Sequence, residues 1–226
     1  MSDTSSPLSG LATEEIVPPR VCGDCSLCCT VLRVDALQKL GGIDCLHQDI
    51  DGPGCSIHAK RPRICRAYRC AWLKGSFGEA DRPDRIGAVL DFVSTGATVQ
   101  LEIHESEPGV FEREPRLQAI AEGARASMPV RIRDSGNVLD ADRPFLLLMP
   151  NGESHRVSGE WTEVTSPPRA SGDPEVVVRR RLPLLERSVR RLTLKIRRWR
   201  LRDYRGASPS EEKGTPSRSS TSSSSP

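Results

Sequence analysis

Cys22-Gly23-Asp24-Cys25-Ser26-Leu27-Cys28-Cys29 opens a 51-residue stretch that runs on through Cys45 and Gly54-Cys55-Ser56-Ile57-His58. It closes on Arg61-Pro62-Arg63-Ile64-Cys65-Arg66-Ala67-Tyr68-Arg69-Cys70-Ala71-Trp72. All eight cysteines of the 226-residue chain lie between Cys22 and Cys70. A two-residue gap lets two thiolates converge on one ion while the backbone amides between them turn toward sulfur, which is why C-x-x-C knuckles recur in zinc and iron–sulfur sites. The doublet Cys28-Cys29 adds a constraint. Adjacent side chains diverge, so the two thiols either face different centres or divide the work, one ligating and the other packing. Eight ligands fill two four-coordinate sites, with the doublet at their boundary.

The metal-ligand set expected from the sequence is therefore Cys22, Cys25, Cys28, Cys29, Cys45, Cys55, Cys65 and Cys70, holding one or two centres of zinc or iron. An all-thiolate zinc site needs four cysteines. Cys22, Cys25 and Cys28 also repeat the C-x2-C-x2-C spacing of an iron–sulfur cluster, although the x3-C-P continuation is absent. The plainest role is structural, because metal-binding energy becomes folding energy in a region poor in core residues. An active or redox centre, disulfides and free thiols are the alternatives.

Bulk properties bound the rest. Residues of the hydrophobic class make up 36% of the chain and aromatics 4%, so a core must be mainly aliphatic. Residues 1–20 are polar and acidic, with no apolar run after a basic start, and do not read as a secretory signal. No stretch approaches the roughly 20 apolar residues of a membrane span. A cytoplasmic location is expected, where thiols stay reduced unless a metal claims them.

Along the chain the pattern predicts a flexible leader (1–20), then an α+β metal-binding domain over 21–165 with the cysteine cluster at 22–70 and α+β support at 76–165. A linker (166–174), a basic amphipathic helix (175–205) and a disordered tail (206–226), with nine serines in 21 residues, complete it. The fold class expected is α+β with a short antiparallel sheet. Within it, Ile86–Val93 and Thr98–His104 read as a hairpin, Val99, Leu101 and Ile103 alternating with polar residues. Pro115–Ala126 reads as a helix with Leu117, Ile120 and Ala121 on one side. Val130–Arg133 and Phe145–Met149 read as strands, the latter followed by a Pro150-Asn151-Gly152 turn. No nucleophile motif, phosphate loop or carboxylate pair stands out here, and the segment reads as scaffold.

Arg179 to Arg205 carries eleven Arg and one Lys against Glu186 and Asp203, a net of +10 in a chain of net +3, so the remainder sums to −7. Leu182, Leu185, Val189, Leu192, Ile196 and Trp199 step by three and four residues, an apolar helical stripe among basic faces. Pro183 is tolerated only in a first turn and sets the helix start near Leu182. The stripe suits self-docking or a protein partner. The charge suits an anionic partner, either a membrane surface or RNA or DNA phosphates.

The set Cys22-x2-Cys25-x2-Cys28-Cys29, Gly54-Cys55-Ser56-Ile57, Arg61-Pro62-x2-Cys65-Arg66-x-Tyr68-x-Cys70-x-Trp72 closely resembles the YkgJ-like family, the CxxCxxCC zinc- or iron-chelating domain, over about residues 20–75. The resemblance implies metal chelation. By the same analogy, since a flagellin lysine N-methylase carries a similar cluster, it admits an iron–sulfur or metal-dependent enzyme of protein methyl-transfer type. The family often has an aromatic where this chain has His58. His58 and His47 are possible nitrogen ligands, ranked behind the eight thiols. Arg61, Arg63, Arg66 and Arg69 surround Cys65 and Cys70, where guanidinium groups would offset the charge of a thiolate-bound ion. The function expected is metal binding, with a nucleic-acid-associated factor using the basic helix as a further alternative.

Overall fold

A computed structural model describes residues 20–48, 54–96, 98–134, 144–168 and 176–204. The leader apart from Arg20, the linker from residue 169 onward and the Ser-rich tail lie outside the described residues.

Seven strands form one sheet in sequence order: β1 Ala88–Thr95, β2 Thr98–Glu105, β3 Val130–Asp134, β4 Phe145–Leu148, β5 Ser154–Ser158, β6 Trp161–Ser166 and β7 Val176–Arg181. The hairpin read from alternation is β1–β2, in register from Ala88 opposite Glu105 to Thr95 opposite Thr98. β2 and β3 are parallel, Leu101 beside Val130 and Ile103 beside Ile132. A parallel pair needs a crossover. Helix α5, Pro115–Arg125, supplies it, preceded by the single turn α4, Val110–Arg113. The Glu114 carboxylate caps α5 by accepting from the Arg116 N–H at 3.0 Å, and Pro115 occupies the first turn, where no N–H is needed. Leu117, Ile120 and Ala121 are buried at i, i+3 and i+4. They pack with Leu90, Leu101, Ile103, Val130, Ile132 and Leu148 into the main core.

The expectation of a short, wholly antiparallel sheet is corrected in two respects. The sheet has seven strands, and one neighbouring pair is parallel. The basic segment 175–205 is divided, its helix starting just past Pro183 as that proline implies and the residues before it forming a strand. Val176–Arg181 is edge strand β7, paired with β6 from Ser166 opposite Val176 to Trp161 opposite Arg181, and helix α6 spans Leu184–Arg200 behind Pro183. Three consecutive β-branched valines with a ready partner strand outweigh the helical bias of the arginines beyond them.

The second face of β2 is polar and yet buried. Glu102 accepts from His104 Nε2 at 3.1 Å, from the Arg133 guanidinium at 3.1 Å and from the Gln100 amide at 3.0 Å. Arg133 Nε donates to His104 Nδ1 at 3.2 Å, leaving Nε2 to face the Glu102 carboxylate. The His104 hydrogen bond, then the Arg133 and Arg131 charges, hold the Glu102 carboxyl down at about 2, against 4.5 when free. A depressed carboxylate adds stability above its unfolded value, lost as pH falls from about 4.5 toward 2. Glu102→Gln should therefore cost on the order of 3 kcal/mol in urea unfolding at neutral pH. The deficit should shrink steadily below about pH 4.5; a deficit independent of pH would show that Glu102 is not the titrating group.

Candidate metal centre

Each cysteine is placed by a short, locally determined element. The Cys22–Cys25 knuckle is a turn closed by Cys25 N–H to Cys22 O at 3.1 Å, with Gly23 at φ 57°. Helix α1, Leu27–Val31, carries the doublet and buries Val31. Neighbouring residues on a helix are 100° apart, so Cys28 and Cys29 leave α1 in different directions. Cys45 and Cys55 stand on facing loops joined by an isolated Gln48–Cys55 bridge, with Ser56 N–H donating to His47 O at 2.9 Å. Pro62 precedes helix α2, Arg63–Ala67, which carries Cys65. Cys70 follows α2, and the next residue, Ala71, is fully buried and donates its N–H to Leu90 O on β1 at 2.8 Å.

Further ties hold this segment to the scaffold. The buried Asp81 carboxylate accepts from Arg116 Nε at 2.5 Å and from the Gly78 N–H at 2.8 Å, linking the loop before helix α3, Pro83–Ile86, to α5. Arg82 pairs with Asp24, inside the first knuckle. Arg20 donates to Trp72 O at 2.8 Å and to Phe77 O at 2.6 Å while stacking on the Trp72 ring.

All eight cysteines are half-buried, and none forms a disulfide. Electrostatically they fall into two neighbourhoods. Cys28 lies within reach of Cys22 and Cys25, Cys25 of Cys70, and Cys70 of Cys22. Cys65 lies within reach of Cys29, Cys45 and Cys55. The adjacent Cys28 and Cys29 join the two neighbourhoods. Their mutual interaction raises the Cys28 thiol and lowers Cys29, which Lys39 and Arg61 lower further. Burial raises Cys25, Cys65 and Cys70.

Two adjoining cavities overlap across these neighbourhoods. One of 450 Å³ is lined by Cys22, Cys25, Cys28, Cys65 and Cys70 with Arg61, Arg66, Arg69 and Tyr68. The other, of 300 Å³, is lined by every cysteine except Cys70, with His47, His58 and Arg61. Of the four arginines singled out in the sequence, Arg63 lines neither.

Among the described residues no three His, Cys, Asp or Glu side chains are drawn together tightly enough to cage an ion as they stand. The chemistry around them nevertheless fits thiolate-bound metal. Arg61 Nε is buried without a hydrogen-bond partner, and the buried Tyr68 hydroxyl lies against Asp91. Tyr68 lies near Cys28 and Cys70, Arg61 near Cys29 and Cys65. A neutral thiol is a weak acceptor, whereas a metal-bound thiolate is a good one. Arg61 thus brings to Cys29 and Cys65 one orphaned donor of the kind that a thiolate satisfies.

Lys39 is a site residue that the sequence does not mark. The residue is 1% exposed, and its ammonium donates to the carbonyls of Thr30, Leu32 and Leu40 at 3.0, 2.8 and 3.1 Å. It thereby closes the loop after α1 and sets a positive charge near Cys29. Only its position between Val34 and Leu40, both core residues, hints at burial. Comparison with protein-family models, with curated proteins and with solved structures finds no match to this chain. Lys39→Met should destabilise the fold by about 2–4 kcal/mol, since three buried carbonyls lose their donor. Denaturant unfolding checks it; a loss under about 0.5 kcal/mol, the usual size for a surface change, would show the loop closes without the ammonium.

Proposed function

We propose that the chain is a metal-binding protein with two four-thiolate centres, Cys22/Cys25/Cys28/Cys70 and Cys29/Cys45/Cys55/Cys65, each taking zinc or iron. The observation that supports this reading is electrostatic proximity: Cys28 to Cys22 and Cys25, Cys70 to Cys22, and Cys65 to Cys29, Cys45 and Cys55, with the adjacent Cys28 and Cys29 between the two groups. Four thiolates complete a tetrahedral zinc shell with no open position, the pattern of a structural centre. Arg61 would offset the negative charge of the second centre, and Tyr68 would donate to sulfur at the first. Stapling suits a segment with few buried apolar side chains of its own. The motif resemblance to the YkgJ-like family supports the same reading, and a reducing, cytoplasmic setting would keep the thiols available.

One observation favours an iron–sulfur enzyme as the second reading. The 450 Å³ cavity beside the first set opens among Arg61, Arg66 and Arg69, a lining suited to an anionic substrate or cofactor. Protein purified without air should separate the two. Colourless protein with about two zinc ions per chain supports structural centres, and brown protein with iron and sulfide supports the enzyme.

The partition itself is testable by native mass spectrometry of the full chain. Cys25→Ser should lose one metal while leaving the other, and Cys55→Ser should lose the opposite one. Combining the two should leave none. A wild-type chain with a single metal, or single substitutions that leave both in place, would refute two four-thiolate centres.

A further inference from the structure

Helix α6 is mounted with its apolar stripe facing outward. Leu185, Val189, Leu192, Ile196 and Trp199 are 76, 57, 60, 44 and 67% exposed. The opposite side is the one that meets the protein. Near the helix start Arg187 and Arg191 pair with Glu160 at 3.5 and 2.6 Å, the Arg187 side chain being largely covered. Just past the helix end, Leu201 is buried against the fully buried Leu40, with Tyr204 packed alongside. Leu194, between those anchors, is half-buried. A surface helix normally turns its apolar stripe to the core. Here both ends are fastened the other way round.

We propose that this outward face docks on an anionic phospholipid surface. Charge decides among the possible occupants. The helix carries six Arg and one Lys against Glu186, a net of +6. A second copy would set two such helices against each other across a seam of only two heptads, short of the three or four a coiled coil sustains. Nucleic acid would engage the arginines and leave the apolar stripe in water. A bilayer with acidic headgroups meets both features at once. The stripe enters the boundary between headgroups and acyl chains, and Trp199 sits at the depth that amphipathic rings prefer. By helical periodicity Lys195 and Arg200 border the stripe on its two sides, where long side chains reach out to phosphates. Among the described residues no helix is long and apolar enough to cross a membrane, so the contact lies in the surface plane.

Sedimentation of the full chain with phosphatidylcholine vesicles, with and without phosphatidylserine, tests this. Binding should require phosphatidylserine and weaken as salt rises. The Trp199 emission, isolated by difference from Trp199→Phe, should shift to the blue on binding. The double variant Leu192→Ser, Ile196→Ser should bind at least about tenfold more weakly with metal content and circular dichroism unchanged. Four results would overturn the proposal: equal binding to neutral vesicles, no binding to either, a double variant that binds as well as the parent, or a stable dimer in which Trp199 is already shielded. RNA binding that survives the double variant while vesicles are ignored would assign the helix to nucleic acid instead.

Discussion

Two residues next to each other on a helix cannot aim at the same point, and much of the N-terminal part of this protein follows from that. Cys28 and Cys29 leave α1 in directions about 100° apart. Cys28 lies within electrostatic reach of Cys22 and Cys25, and Cys70 of Cys22, while Cys65 lies within reach of Cys29, Cys45 and Cys55. Arg61 brings an unpaired buried donor near Cys29 and Cys65, and Lys39 closes the loop behind Cys29. The sheet acts as the frame. Ala71 hydrogen-bonds to β1 immediately after Cys70, so the last cysteine is held by the strand that begins the sheet.

Where a single local rule governs, the residues could be read directly. Alternation of Val99, Leu101 and Ile103 gives β2. Pro115 with Leu117, Ile120 and Ala121 gives α5, and the Asn151-Gly152 turn ends β4. The strands beyond it were less legible. β5 is Ser-His-Arg-Val-Ser, whose only aliphatic side chain is Val157, and it is a strand because β4 and β6 flank it. In β7, three valines sit directly before three arginines, and composition alone favours continuing the basic helix backward. Lys39 and the Glu102–His104–Arg133 network escaped for another reason. Charged residues are normally exposed, and burial of an ion is decided by partners distant in sequence.

At the candidate centre, the cysteine types and the C-x-x-C spacing were legible, as was the conflict within the doublet. The assignment of Cys45, Cys55, Cys65 and Cys70 to one side or the other was not. It depends on how α2 and the loop carrying Cys45 fold back over α1. The same limit applies to α6. Periodicity reveals a stripe, but only the anchors at Glu160 and Leu40 determine which way it faces. The net +6 helix and the net-negative remainder of the chain leave a molecule whose charge is divided along its length.

X-ray absorption at the edge of whichever metal the purified chain carries tests the central claim most directly. Two four-thiolate zinc centres predict a shell of about four sulfurs at roughly 2.3 Å with no imidazole scattering. A shell containing nitrogen from His47 or His58, or fewer than four sulfurs per ion, would contradict the division of the eight cysteines into two complete sets.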